Sequence, residues 1–270
     1  MGMGKTRVRT TSSIQKAWIT NFEQKSARGD YEPFYRTQDI TSSGIKGRIP
    51  CPINPGLVYH TLSLNETFTL IQLLHDPLVV DIKEQYPELD VKKSKAFAEA
   101  LGIKHPRHVW SSTESVITWD FLVELKFGPK RAISVKPEYL LKDRRTVEKL
   151  KLEKALAESL GYEHIVVTDK QVKTEEVKNI FRILRGANLP SDLKRIYSTW
   201  FQHFRALVRE SFYRPLSETV ESLACDNHLS YVDSFTLMQH AFWVWDITSD
   251  PTVPLYPEYS PYVLGVEIHA

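Results

Sequence analysis

The stretch that decides the fold is VITWDFLVELK (116–126), FGPK (127–130) and RAISVK (131–136). Two runs rich in β-formers flank a Gly-Pro pair, which predicts an antiparallel hairpin with a four-residue turn. With the turn centred near 128–129, residue 120 is expected opposite about 136–138, so Asp120 and Lys136 fall on neighbouring strands. Ser134 and Lys136, two apart, share a face, and Ile133 and Val135 share the other. Asp120 interrupts an otherwise apolar run. A carboxylate beside an ammonium on apolar strands suits a metal-assisted phosphodiester site, and it also suits a structural ion pair at a sheet edge.

Downstream, residues 143–160 read as a long helix stopped by Gly161, and HIVVT (164–168) as a buried strand. At 100° per residue, Glu153 falls amid Leu150, Leu156, Ala157 and Leu160, an apolar arc where an unpaired charge is costly. Either Lys149, four residues earlier, neutralises it, or it reaches into a site between helix and sheet. Upstream, a helix is expected over 63–75, with Ser63 and Glu66 at capping-box spacing. Glu66 therefore serves either as a cap or as a carboxylate aimed past its own cap at a metal. LVVDIKEQY (78–86) reads as a strand, 94–101 as a short helix, 12–27 as a helix and 28–60 as mostly loop. Strands, a hairpin, a crossover helix and a further strand predict an α/β core ending near residue 170.

From 174 onward the pattern turns helical, at about 174–186, 191–213, 216–226 and 233–240. A strand is expected over AFWVWDIT (241–248), and then a tail with prolines at 251, 254, 257 and 261. Helices followed by a short strand suggest a winged-helix-like module over 171–270.

Apolar residues at 42% and charged residues at 25% are ordinary for a globular protein and exclude disorder over most of the 270 residues. The net charge of +2 hides an uneven distribution. Segments 1–58, 104–154 and 171–214 each carry a net +5, whereas 215–270 holds eight acids and no Lys or Arg. Residues 1–11 read as a flexible basic arm. The acidic end should avoid phosphate and bind protein, with Trp243, Trp245, Tyr256, Tyr259 and Tyr262 either as anchors or as core of a small domain. The basic stretch 178–214 suits DNA or an acidic partner.

Cys51 and Cys225 lack metal-spaced companions, and among nine histidines only His105 and His108 are close, so a zinc site is not expected. The string GMGKT (2–6) lacks the first P-loop glycine at the required spacing. No signal peptide is legible, and the apolar runs reach about eight residues against the ~20 of a membrane helix. An intracellular, membrane-free setting is the expectation.

The succession of Glu66, TWDFLV (118–123) and ISVKP (133–137) resembles the TnsA-type transposon endonucleases, nucleases of the PD-(D/E)xK class. VDIKEQYP (80–87), GIKHP (102–106), RTVEKLKLE (145–153) and VTDK (167–170) fit as well, so the resemblance covers about 55–180. It implies a restriction-endonuclease-like mixed sheet flanked by helices over 1–170. It implies Glu66 and Asp120 as metal-binding carboxylates, Lys136 as catalytic lysine and Glu153 as a supporting helical acid. Ser134 stands where most of the wider class has an acid, which leaves the Val135 carbonyl to complete the metal set. The cofactor implied is Mg²⁺, with Mn²⁺ as a substitute, and the setting is the bacterial cytoplasm. The implied activity is cleavage of the 5′ strands at double-stranded transposon ends, beside a DDE-type transposase and an AAA+ regulator. A stand-alone restriction-type nuclease and a non-catalytic adaptor are the rival readings.

Overall fold

The computed structural model describes residues 10–38, 44–52, 56–108 and 111–269. The chain divides into two compact units. One comprises the chain up to Ile49, Tyr59–Thr69 and Asp76–Gln171, and the other Pro50–Val58, Leu70–His75 and Val172–Ala270. Most of the proposed basic arm, residues 1–9, lies outside the described residues. Its last residue, Thr11, caps the first helix, α1 (Ser12–Ala27), by accepting from Ile14 N–H.

Two short strands, β1 (Gly47–Pro50) and β2 (Val58–Thr61), form a two-stranded sheet inside the stretch expected to be loop. The abundance of proline there concealed them, but Pro50 is the last residue of its strand, where a missing N–H is tolerated. Helix α2 (Leu64–His75) follows, then β3 (Val79–Glu88) and α3 (Val91–Ala100). Helix α3 starts three residues earlier than its apolar pattern suggested, because Asp90 caps it by accepting from Lys93 N–H at 2.9 Å.

The central sheet has four strands in the order β3, β4 (Ile117–Leu125), β5 (Arg131–Lys136) and β6 (Glu163–Thr168). Strand β4 runs antiparallel to both β3 and β5, and β6 runs parallel to β5. A parallel neighbour needs a crossover, which α4 (Arg144–Ser159) supplies. Asp143 caps α4, and Gly161 ends it in the left-handed region (φ 74°), allowing Tyr162 N–H to reach back to the Ala157 carbonyl. Trp119, Leu122 and Ala132 of the sheet form one buried cluster with Leu152, Leu156 and Ala157 of α4. Trp119 Nε1 also donates to the Glu153 carbonyl at 3.1 Å, tying helix to sheet at one point.

The hairpin register differs from the expected one. Phe121 pairs with Ile133, Leu122 with Ala132 and Val123 with Arg131, so the turn is centred near residue 127. In this register Asp120 lies level with Ser134 instead of 136–138. Pairing stops at Phe121–Ile133, and there the strands part.

After the short helix α5 (Asp169–Val172), the second unit is mainly helical: α6 (Glu175–Ile183), α7 (Ser191–Glu210), α8 (Leu216–Asp226) and α9 (Tyr231–Trp243). Its core gathers Trp200, Phe204, Leu216, Val220, Leu223 and Leu237, with Trp200 Nε1 donating to Ser234 Oγ at 2.9 Å. Of the strand expected over 241–248, only Ile247 and Thr248 are strand. Helix α9 runs to Trp243, and Trp245 takes a positive φ (66°). Pairing therefore begins only at β7 (Ile247–Thr248), against β8 (Glu267–Ile268), which follows α10 (Pro261–Leu264). Trp243 packs against the core, whereas Trp245, Tyr256, Tyr259 and Tyr262 are exposed.

Candidate active site

Side chains from α2, β3, β4, β5, α4 and β6 of the first unit gather where β4 and β5 part. At the end of the β4–β5 ladder, Asp120 Oδ2 accepts from Val135 N–H at 2.6 Å, taking a donor that a longer ladder would have paired with backbone. A strand residue points its N–H and C=O to the same side, so the Val135 carbonyl faces Asp120 too. Lys136 Nζ completes the arrangement, 3.1 Å from Asp120 Oδ2 and 3.0 Å from the Val135 oxygen.

Glu66 arrives from the first turn of α2. Ser63 Oγ accepts from Glu66 N–H at 3.2 Å and donates to Glu66 Oε1 at 2.8 Å, while Leu62 N–H donates to Oε2 at 2.8 Å. The capping spacing of Ser63 and Glu66 is thus realised as a hydrogen-bonded cap. The cap fixes the carboxylate, and the fixed carboxylate faces Asp120.

Between them stands Gln85 of β3. Its Nε2 lies 3.3 Å from Asp120 Oδ1 and 3.4 Å from Glu66 Oε2, and the residue is 2% exposed. Its φ of 48° lies in the left-handed region, which costs a side-chain-bearing residue roughly 1–2 kcal/mol. Sequence reasoning missed Gln85. Its one available signal was its position within the strand run 78–86, with no glycine or turn residue to announce the backbone.

Glu153 reaches the sheet from α4, as one of its two readings supposed. Ser134 Oγ donates to Glu153 Oε2 at 2.6 Å and lies 3.0 Å from His164 Nε2. Ser134 thus joins a helical carboxyl group to an imidazole on β6.

The electrostatics are those of an anionic cluster short of positive charge. Burial, then the neighbouring Asp120 carboxylate, raise Glu66 to about 7. Burial also raises Glu153, opposed by the Lys136 charge and the Ser134 hydrogen bond. Burial works against the Lys136 ammonium, but Asp120, Glu153 and Glu66 outweigh it and hold the group above the ordinary lysine range. Burial lowers His164 to about 4, which keeps its imidazole neutral at physiological pH. Three carboxyl groups thus surround one cation.

Among the described residues, no group of three or more His, Cys, Asp and Glu side chains is placed to hold a metal ion. What the site offers is two carboxylates and one main-chain carbonyl. Such hard oxygen donors fit Mg²⁺, which usually takes one or two carboxylates and fills its shell with water and phosphate oxygens. The Lys136 ammonium already touches two of these three donors, a position that marks where positive charge is stabilised. Glu66, Asp120 and the Val135 carbonyl would hold the ion.

Two comparisons bear on this region. Residues 76–169 match the family model described as TnsA-like endonuclease, N-terminal, a span holding Gln85, Asp120, Val135, Lys136 and Glu153 but not Glu66. Over 153 residues the chain is 37% identical to the transposon Tn7 transposition protein TnsA of Escherichia coli, covering 56% of this chain and 55% of that protein. The chain therefore matches about half the length of that curated relative.

Proposed function

We propose, from the match of residues 76–169 to the TnsA-like endonuclease model and the 37% identity to TnsA of Escherichia coli, that this chain is the endonuclease subunit of a cut-and-paste transposase. In this reading it cleaves the 5′ strands at double-stranded transposon ends beside a DDE-type transposase, under an AAA+ regulator. The relative is named as a transposition protein, and the four-stranded mixed sheet with its crossover helix suits a restriction-endonuclease-like core. The observation that carries the reading is the junction at Asp120. One carboxylate oxygen engages the Val135 N–H and the Lys136 ammonium, while the other is bridged through Gln85 to Glu66.

When bound, Mg²⁺ (or Mn²⁺ in its place) would supply Lewis-acid charge and a water of lowered pKa for in-line attack on phosphorus. The protein's own part follows from its protonation states. Lys136 is held charged, so it acts as a cation toward the developing phosphorane charge and not as a base. Asp120 orients that ammonium. Glu66 is pinned by its cap, and Gln85 keeps two like-charged groups in one place without adding charge. Glu153 supports Lys136 from behind, steadied by Ser134.

The helical unit, read as winged-helix-like, would serve partner contact through its acidic, aromatic surface. The test is a plasmid carrying transposon ends, incubated with Mg²⁺ and the chain alone or with its transposase and regulator. The subunit reading expects efficient double-strand excision only in the full mixture. Efficient cutting by the chain alone would favour a stand-alone nuclease, and excision unaffected by Lys136→Ala would favour a non-catalytic adaptor.

A further inference from the structure

Helix α7 shows two distinct faces. Leu193, Trp200, Phe201, Phe204 and Val208 are buried in the helical core. At 100° per residue these occupy one arc, and Lys194, Arg195, Arg205 and Arg209 fall within about 100° of one another on the adjoining arc. Ser198 and Gln202 lie between them, both exposed. No acid occurs from Leu193 to Arg209.

These cations differ from others nearby. Lys178 and Arg182 pair with Glu175, and Arg214 with Glu218. Among the described residues, none of the four on α7 has an acidic partner. Their face carries no exposed large apolar side chain, although such side chains are common elsewhere on this unit. A protein partner normally finds an apolar centre in its interface. A phosphate backbone needs cations with interleaved hydroxyl and carboxamide donors, which is what α7 presents.

We infer that the exposed face of α7 is a second binding surface for double-stranded DNA, reading its backbone without sequence preference. From 195 to 209 the stripe runs about 21 Å, at 1.5 Å per residue. That matches about six base pairs at 3.4 Å each. The eight acids of 215–270 then have a consequence: within one unit they confine attraction for phosphate to α7 and its neighbours. The inference takes from the proposed function only that DNA is the substrate.

The test measures binding of the full chain to a labelled duplex of arbitrary sequence by anisotropy across a salt series. The proteins are the parent, Lys194→Gln/Arg195→Gln/Arg209→Gln, Arg195→Lys/Arg209→Lys and Asp120→Ala. Each lost phosphate contact should reduce the slope of log K against log salt by about 0.9. The glutamine triple should therefore lose about 2–3 in slope, while the lysine variant keeps the parent slope. Far-UV circular dichroism checks that the triple is folded, and Arg195→Gln alone, expected to lose about 0.9 in slope, serves if it is not. An unchanged slope in the folded variants would overturn the inference. So would loss of binding to an acidic protein partner with DNA binding intact. If Asp120→Ala still cuts DNA but the slope result stands, the nuclease reading fails and the α7 surface does not.

Discussion

Gln85 and Asp120 face each other across the β3–β4 ladder, between the pairs Glu84–Phe121 and Tyr86–Trp119. The carboxamide bridges Asp120 to Glu66, and it does so from a backbone conformation that side chains rarely adopt. Strain kept at a buried position between two carboxylates indicates that the carboxamide is worth its cost there. Gln85→Leu should leave the fold intact and lower Mg²⁺-dependent cutting about 10–100-fold, the usual effect of losing a hydrogen bond that orients a metal ligand. Cleavage rates at a series of Mg²⁺ concentrations check this, and parental rates would show Gln85 to be a structural filler.

Ser134 joins α4 to the sheet through Glu153. Ser134→Ala would leave the buried Glu153 carboxyl without that donor and should destabilise the protein by about 1–3 kcal/mol. Glu153→Gln retains an acceptor for the hydroxyl and should cost less. Urea denaturation of both variants gives the comparison, and equal losses would mean that the hydrogen bond is not what matters.

Glu84, 2% exposed, is raised by burial from 4.5 to about 7, with His60 N–H donating to its Oε1 at 3.2 Å. In the folded protein it keeps its proton to about pH 7, whereas the unfolded chain releases it near 4.5. Its contribution is therefore fully present below pH 4.5 and is lost as pH rises through 7. Glu84→Gln should match the parent at pH 4 and exceed it at pH 8, by up to about 3 kcal/mol. Denaturant midpoints at the two pH values test the sign, and a variant weaker at pH 8 would refute it.

That Asp120 and Lys136 stand on neighbouring strands was legible, because an acid interrupts one apolar strand and a lysine ends the next, whereas Glu66 at capping spacing left both cap and site open. Most elements of the first unit were legible as well, since hydrophobic period and caps agree in α1 and α4 and apolar runs mark β5 and β6. The hairpin register was not, because the turn is asymmetric and the sequence marks only its Gly-Pro pair. Gln85 was hidden because its role depends on a neighbouring strand and on a φ that no glycine signals. Ser134 looked like an absence, a missing acid. Its role as a link emerges only when α4 and β6 bring Glu153 and His164 to it. In the helical unit, AFWVWDIT has strand composition, but packing of Ala241 and Phe242 into the helical core overrides that preference.

Gly186 lies in the short 3₁₀ turn between α6 and α7, against α9. A Cβ there would stand 2.3 Å from the His240 nitrogen and 2.4 Å from the Gln239 carbonyl carbon, both backbone atoms that cannot rotate away. Gly186→Ala should destabilise the helical unit by about 3 kcal/mol or more. A thermal melt of the variant showing no loss would mean that α9 yields easily.

The central claim is that Asp120 and Lys136 form a nuclease centre for the 5′ strands. It is tested most directly by an excision assay with transposase and regulator present, in which 5′ and 3′ cuts at the transposon ends are resolved on a denaturing gel. Asp120→Ala and Lys136→Ala should each abolish the 5′ cuts while the 3′ cuts persist. Parental 5′ cutting by either variant, or loss of only the 3′ cuts, would contradict the account.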